Sequence, residues 1–399
     1  MMKKNRTIYF LLALVCLGLQ SCLFQEEDYF DDSSANRATA DVKRCSELLE
    51  AAPNGWVMEY YVGKDYSLGG ITLLCKASQI AGADETVSSL YSVKSEQATM
   101  LSFDTYNYLV HYFGQPQGSM ADDPNGTLGG DYEFVISDAT ADRIELKGKK
   151  YGNRIVMKAF SADQTWKQYL TRIKKVEDDA FFYEYDLRMD GLYTGQMLRS
   201  NYTFIVTYYD EVGKVYQKTV PFMFTTDGMR FHEPVTIDGQ TMQNFVWKNE
   251  EISFVCTDEG ATGVKMKGIY IDGYQSYDYY PGTYLMDFYR LNGATNQLEV
   301  ASQEIQLVKN EDGKSYWLKG LEYDILVTYD KPRGGLSILP QFLKKVQGGY
   351  VYLAMWDLMN DYVLRSSAIG LISYPTTDGI YLVDNGVWMG EISGFIFGV

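Results

Sequence analysis

The sequence predicts a mainly β protein, built of antiparallel sandwich or barrel-like domains, with one helix at its N-terminal end and a second helix linking two regions. Three observations carry this. Tyrosine counts 34 and aromatic residues make up 15% of the 399 positions, a composition suited to half-buried pleated surfaces. Short runs of alternating apolar and polar residues recur, separated by Gly, Asn and Asp turns. Helical spacing is sustained in only two places.

At the N-terminus, Lys3, Lys4 and Arg6 precede an apolar run from Ile8 to Leu19, followed by Gln20 and Ser21. This is the layout of a signal peptide over residues 1–21. The run is too short for a spanning helix, which takes about 20 apolar residues. Leu19-Gln20-Ser21-Cys22 resembles the lipobox of bacterial lipoproteins, in which a small residue precedes the cysteine that receives diacylglycerol and becomes the new N-terminus. Cys22 is therefore the expected lipidation site. Cys16 lies inside the apolar run with bulky Val15 before it. An ordinary signal peptide with an incidental cysteine is the alternative. Each methylene of an acyl chain contributes roughly 0.8 kcal/mol to membrane retention, so two or three chains make a lasting anchor. Residues 22–32 then form a tether, with Glu26, Glu27, Asp28, Asp31 and Asp32 and no base. Such a stretch stays solvated and extended. It resembles the acidic surface-export signal of Bacteroidota lipoproteins, which implies the outer face of the outer membrane. The other reading is a charged spacer on a periplasmic lipoprotein.

The first folded region is expected over 33–180. Ser33 or Ser34 caps a helix that keeps Ala38, Val42, Cys45, Leu48, Leu49 and Ala52 on one side, until Pro53-Asn54-Gly55 ends it. From Trp56 the period becomes two. Strands are expected at 56–62, 71–75, 98–103, 106–113, 131–136, 143–147 and 154–158. Ser161 and Gln164 read as a capping box before Trp166, Tyr169, Leu170, Ile173 and Val176, a helical series running to about Asp179. The second region, 181–399, divides into as many as two subdomains. It opens with a hairpin of 204–209 and 215–222 turned at Glu211-Val212-Gly213. Strands follow at 229–231, 246–256, 264–271, 304–308, 315–318, 350–355, 368–374, 379–383 and 392–398.

The formal charge is −16, and loss of the three leader bases takes it to −19. Acids outnumber bases throughout with no basic stripe, which argues against nucleic acid and against attraction to an anionic membrane surface. Cys45, Cys75 and Cys256 are an odd number, and each lies on an apolar face, so buried free thiols are expected; one disulfide stays open. His111 and His232 are the only histidines. His232-Glu233-Pro234 cannot open a zinc-protease helix, because Pro234 breaks it and Thr236 stands where the second His is needed. There is no nucleophile elbow and no phosphate loop. Neither a metal nor a cofactor is expected, and no residue stands out as catalytic. Asp122-Asp123-Pro124-Asn125-Gly126 reads as a turn before it reads as a calcium loop. The densest feature is a loop carrying Tyr270, Tyr274, Tyr277, Tyr279, Tyr280 and Tyr284. Tyrosine joins a flat apolar face to a polar edge, so Tyr274, Tyr277, Tyr279 and Tyr280 are candidates for stacking on a sugar or covering a peptide. Rings pointing inward from strand edges are the alternative.

Ala52-Pro53-Asn54-Gly55-Trp56, Leu101-Ser102-Phe103-Asp104-Thr105-Tyr106-Asn107, Gly130-Asp131-Tyr132-Glu133-Phe134 and Leu146-Lys147-Gly148-Lys149-Lys150 together resemble a family of Bacteroidota lipoproteins defined by a domain of unknown function. The resemblance spans most of the chain behind the leader and is clearest in its first half. It implies an outer-membrane lipoprotein encoded near SusC/SusD-like uptake pairs, often beside a lipoprotein resembling zinc-dependent hydrolases. No catalytic residues come with it. Two functions follow as expectations: a non-enzymatic surface lipoprotein that captures a glycan or peptide for a neighbouring uptake complex, or a hydrolase working through paired carboxylates. A structural or adhesive subunit would instead show an open sheet edge.

Overall fold

The computed structural model describes residues 33–82, 85–116, 126–210, 212–295, 297–376 and 379–398. The chain is mainly β, with antiparallel sheets that include a closed barrel. It folds as two compact units. Of the described residues, one takes those of 33–58, 74–80 and 86–161, and the other those of 59–73, 81–85 and 162–398.

Helix α1 (Ser34–Ala51) is capped by the Ser33 hydroxyl, which accepts from the Asn36 amide at 3.2 Å. It buries Cys45 and Leu49, the stripe its periodicity marks. The Trp56 indole donates to the Leu49 carbonyl at 2.9 Å and ties the helix end to the first strand. Nine strands make one sheet: β1 (Trp56–Val62), β2 (Gly69–Lys76), β3 (Gln79–Ala81), β4 (Thr86–Ser88), β5 (Tyr91–Ser95), β6 (Thr99–Phe103), β7 (Glu133–Ala139), β8 (Arg143–Gly148) and β9 (Arg154–Ala159). Their order is β4-β3-β2-β1-β9-β8-β7-β6-β5. The strand expected at 106–113 is instead a short helix α2 (Tyr108–His111) running into a 3₁₀ turn. Asn107 causes the difference, because its side chain accepts the Leu109 amide and so nucleates a turn in place of a ladder.

Helix α3 (Trp166–Asp179) starts where the apolar series does, and its capping box lies four residues after the expected one. The box is made by Thr165 and Gln168: the Gln168 amide donates to the Thr165 hydroxyl at 3.2 Å, and the Thr165 amide donates to the Gln168 side chain at 2.9 Å. Both spacings satisfy the same motif, and the apolar stripe selects the later one.

Eight strands follow and close on themselves: β10 (Glu184–Met189), β11 (Leu192–Ser200), β12 (Thr203–Tyr209), β13 (Val215–Phe224), β14 (Gly228–Ile237), β15 (Gln240–Lys248), β16 (Ser253–Cys256) and β17 (Val264–Ile269). The barrel seam pairs Glu184 through Met189 with Ile269 through Val264. The single strand expected at 246–256 is two, β15 and β16, because the chain turns between them with Ile252 at a positive φ of 46°. Strands β10 and β11 are not among the expected ones: β10 alternates over only six residues, and β11 exposes Leu192, Tyr193 and Leu198 with Gly195 on its buried phase, which blurs the alternation. The interior is filled by Tyr185, Phe204, Phe222, Phe231, Phe245 and Phe254 with methionines between them. An eight-stranded barrel is just wide enough for side chains to pack its axis.

The last part is a sandwich. One layer has seven strands: β18 (Gly282–Asn292), β19 (Gln297–Lys309), β20 (Ser315–Lys319), β21 (Ile325–Asp330), β22 (Gly335–Ile338), β26 (Leu371–Thr376) and β27 (Gly379–Asp384). The other has β23 (Gln341–Val346), β24 (Gly349–Asp357), β25 (Tyr362–Leu364) and β28 (Gly394–Gly398), with β24 pairing all three neighbours. Ile305, Leu307, Leu318, Ile325 and Val327 from the first layer share a core with Leu353 and Met355 from the second. Cys45, Cys75 and Cys256 are free thiols, with Cys45 and Cys256 buried.

Candidate ligand-binding site

Cys22 and the acidic tether lie outside the described residues, as does the Asp122–Gly126 loop except for Gly126. The tyrosine loop joins β17 to β18 and is tied down by its own hydroxyls. Tyr280 is fully buried and donates to the Gly334 carbonyl at 2.7 Å. Tyr277 is half-buried, stacks on Tyr316 with ring centroids 4.7 Å apart, and donates to the Ser315 carbonyl at 2.8 Å. Tyr316 returns a bond to the Tyr277 carbonyl at 2.6 Å, and Tyr329 donates to the Gln275 carbonyl at 2.8 Å with its oxygen 3.1 Å from the Tyr274 hydroxyl. The ring of Tyr274 lies 4.5 Å from that of Tyr270. Of the four candidate rings, Tyr279 is the one classed as exposed. Burial pushes the phenols of Tyr274, Tyr277 and Tyr280 up, as expected for groups committed to packing.

A second aromatic constellation lies in the sandwich. Along β20, Tyr316 and Leu318 point into the core while Trp317 and Lys319 point out. Trp317, Lys319, Tyr323, Asp324, Leu343 and Lys344 line an open cleft of about 320 Å³. Two local devices build it. Gln341 at the start of β23 accepts the Leu326 amide at 2.8 Å and donates to the Leu326 carbonyl at 2.9 Å, so one side chain stands in for a strand pairing with β21. The register of β23 then slips: Phe342 faces Tyr352 and Lys344 faces Val351, leaving Leu343 as an extra residue. Such a bulge bends the strand and re-aims its side chains. Leu343 packs partly on the core, and both it and Lys344 border the cleft.

Three of the cleft's polar groups, Lys319, Asp324 and Lys344, are charged. Lys319 lies 3.9 Å from Asp324, with both side chains about half exposed, a loose pair of small energetic weight. Tyr323 leans its ring edge-on to Phe397 at 5.2 Å, and a hydrogen bond with Glu322 raises its phenol. An indole face, a phenol and three charged ends can hold a flat ligand with one apolar face and a hydroxylated rim. Sequence reasoning missed this site. The available signal was Trp317 beside Lys319 on the outward phase of a strand whose other phase is Tyr316 and Leu318.

Other polar clusters serve the fold. Asp131, 3% exposed, accepts the amides of Lys150 at 2.8 Å, Tyr151 at 3.1 Å and Asn153 at 3.1 Å, while its own amide donates to the Asn153 side chain. His232 sits between Tyr61 and Tyr66, with ring centroids 4.3 and 4.2 Å away. Arg230 and Glu59 form an ion pair at 2.5 Å; burial works against the arginine charge, and the Glu59 carboxylate outweighs it. Among the described residues, no three His, Cys, Asp or Glu side chains gather as a metal site.

A family model described as a domain of unknown function, DUF4302, matches residues 26–249, and a second domain of unknown function, DUF4987, matches residues 257–386, the stretch that holds the cleft. No curated protein and no solved structure matches the chain. The first match covers more than half of the 399 residues, and this protein belongs to the DUF4302 family.

Proposed function

We propose that this protein is a non-enzymatic, lipid-anchored protein of the outer membrane that captures a glycan in the cleft of its C-terminal sandwich, as an accessory to a SusC/SusD-like uptake complex. The observation that carries the binding role is Trp317, a large ring held outward at an open cleft with Tyr323, Lys319, Asp324 and Lys344 around it. Aromatic faces take the C–H face of a sugar, and charged rims take its hydroxyls. The filled barrel supports this placement, since its interior is occupied by the protein's own rings.

Two-carboxylate hydrolysis needs one carboxyl held protonated near neutrality. The described carboxyls with a shifted titration, among them Asp41, Glu133, Glu145, Asp258 and Asp357, are displaced downward by donors beside them, which suits acceptors in a scaffold.

Native affinity electrophoresis of the detergent-solubilised protein through gels containing polysaccharides tests the binding role. The parent is expected to be retarded in at least one gel, and Trp317→Ala to weaken the apparent affinity about tenfold. Equal mobility of the two proteins in every gel would refute the cleft. For the anchor, cells carrying the intact gene or Cys22→Ala are fractionated and treated with external protease. The parent should stay with membranes and be shaved, and the variant should leave them. Unchanged retention of the variant would remove the lipid assignment.

A further inference from the structure

We infer that the glycan taken by this protein is anionic, bearing carboxylate or sulfate groups, and that its chain runs from the cleft onto the outer face of the four-stranded sheet. This rests on the glycan reading above and names its substrate class.

The cleft and the outer face share strand β23. Leu343 and Lys344 border the cleft, while Phe342 and Lys345, on either side of them, stand opposite Tyr352 and Tyr350 of β24. Along β24, Val351, Leu353 and Met355 are buried, and Tyr350, Tyr352 and Trp356 take the other phase. Phe342 is 54% exposed and Tyr350 48%, and the Phe342 ring lies 5.9 Å from that of Tyr350 and 5.7 Å from that of Tyr352. Phe342 and Tyr350 are exposed and Tyr352 half-buried, and the three rings form an aromatic cluster at the surface, joined to the cleft through Leu343 and Lys344 of the same strand.

Cations border that surface. The Lys345 ammonium lies 5.8 Å from the centre of the Tyr350 ring, the Arg365 guanidinium 4.9 Å from that of Tyr352, and Lys344 stands at the cleft edge. All three are exposed, and among the described residues none has a carboxylate partner. The chain carries 52 acids against 36 bases, yet among the described residues no carboxylate is paired with these three cations. A ring keeps the guanidinium or ammonium in place through its face while the N–H groups stay available to an incoming anion. Flat rings for sugar faces, with cations at the rim that no described carboxylate pairs with, complement a polysaccharide that carries negative charge at intervals. A nucleic acid would need a far more extended basic footprint than the overall charge of −16 leaves room for.

The test uses the full-length protein in detergent and four probes: polygalacturonate for carboxylates, chondroitin sulfate for sulfates, a neutral β-glucan, and an oligonucleotide as a non-glycan polyanion. Affinities are measured for the parent, for Trp317→Ala, and for Lys344→Glu combined with Lys345→Glu and Arg365→Glu. These are surface positions, and matching thermal melts confirm that each variant is folded. The parent is expected to bind one of the two anionic glycans, which also tells carboxylate from sulfate. The triple variant should bind about tenfold or more weakly, and raising salt from about 50 to about 500 mM should weaken the parent but not the triple variant. Trp317-dependent binding of the neutral glucan alone would overturn the anionic class and leave the glycan reading standing. Binding of the oligonucleotide alone, or of no probe, would overturn both.

Discussion

Tyr280 and Trp317 lie on opposite sides of one question, which is where a ring's second face ends up. Tyr280 sits in the conspicuous loop, yet its ring is buried and its hydroxyl is spent on the Gly334 carbonyl. Trp317 sits outside the loop, in a five-residue strand, and meets solvent at the cleft. Local density of aromatic residues does not separate the two cases, because the hydroxyl partners of the loop come from Ser315, Tyr316, Tyr329 and Gly334, brought near only by folding. Asp131 shows the same dependence. In the sequence it is one acid in the Gly130-Asp131-Tyr132 stretch; in the fold it collects three backbone amides from the 150–153 turn. Asp131→Ala leaves those buried amides without their acceptor and is expected to lower unfolding free energy by about 3 kcal/mol, read from urea denaturation. A loss within about 0.5 kcal/mol, the range of ordinary surface changes, would show that water replaces the carboxylate.

At the scale of elements, the sites of interest are irregularities. The bulge at Leu343 sets which side chains of β23 reach the cleft, and the glutamine clamp at Gln341 sets where that strand begins. Neither is visible in a period-two pattern, because a bulge is defined by its partner strand. The helix at Tyr108–His111 and the later capping box at Thr165 are set by local signals, since both rest on side chains within three residues of the helix start. Gly228, at the start of β14, is required by close approach. A Cβ there would stand 1.9 Å from the Phe245 carbonyl oxygen on the neighbouring strand. Gly228→Ala must push β14 away from β15, and it is expected to cost about 1–3 kcal/mol in equilibrium unfolding with little change in secondary structure by circular dichroism. A neutral effect would mean that the strands separate there without penalty.

For the whole molecule, stability should depend on acid. Asp41 is held below its ordinary value of 3.8 by the Thr99 hydroxyl and then Arg44; at Asp258 burial opposes ionisation, and the donors of Asn244 and Gln243 outweigh it; Asp357 is lowered by Asn360 and then Trp388. A carboxyl whose folded pKa lies below its unfolded one contributes stability that is complete above the unfolded value and is lost as pH falls through the folded one. The melting temperature is therefore expected to stay level from about pH 7 to about pH 5 and to fall below about pH 4. Asp258→Asn should flatten that fall, and an unchanged slope would show that other carboxyls dominate. The β class, the two long helices and the buried face of Cys45 were legible in the chain, because each depends on residues within a few positions of one another. Closure of the barrel through β10 and β17, the filling of its axis with rings, the burial of the tyrosine loop and the meeting of Trp317 with Lys344 belong to tertiary structure alone. Each joins residues far apart in sequence through strand register, and a register shift of one residue would turn every one of those side chains to the opposite face.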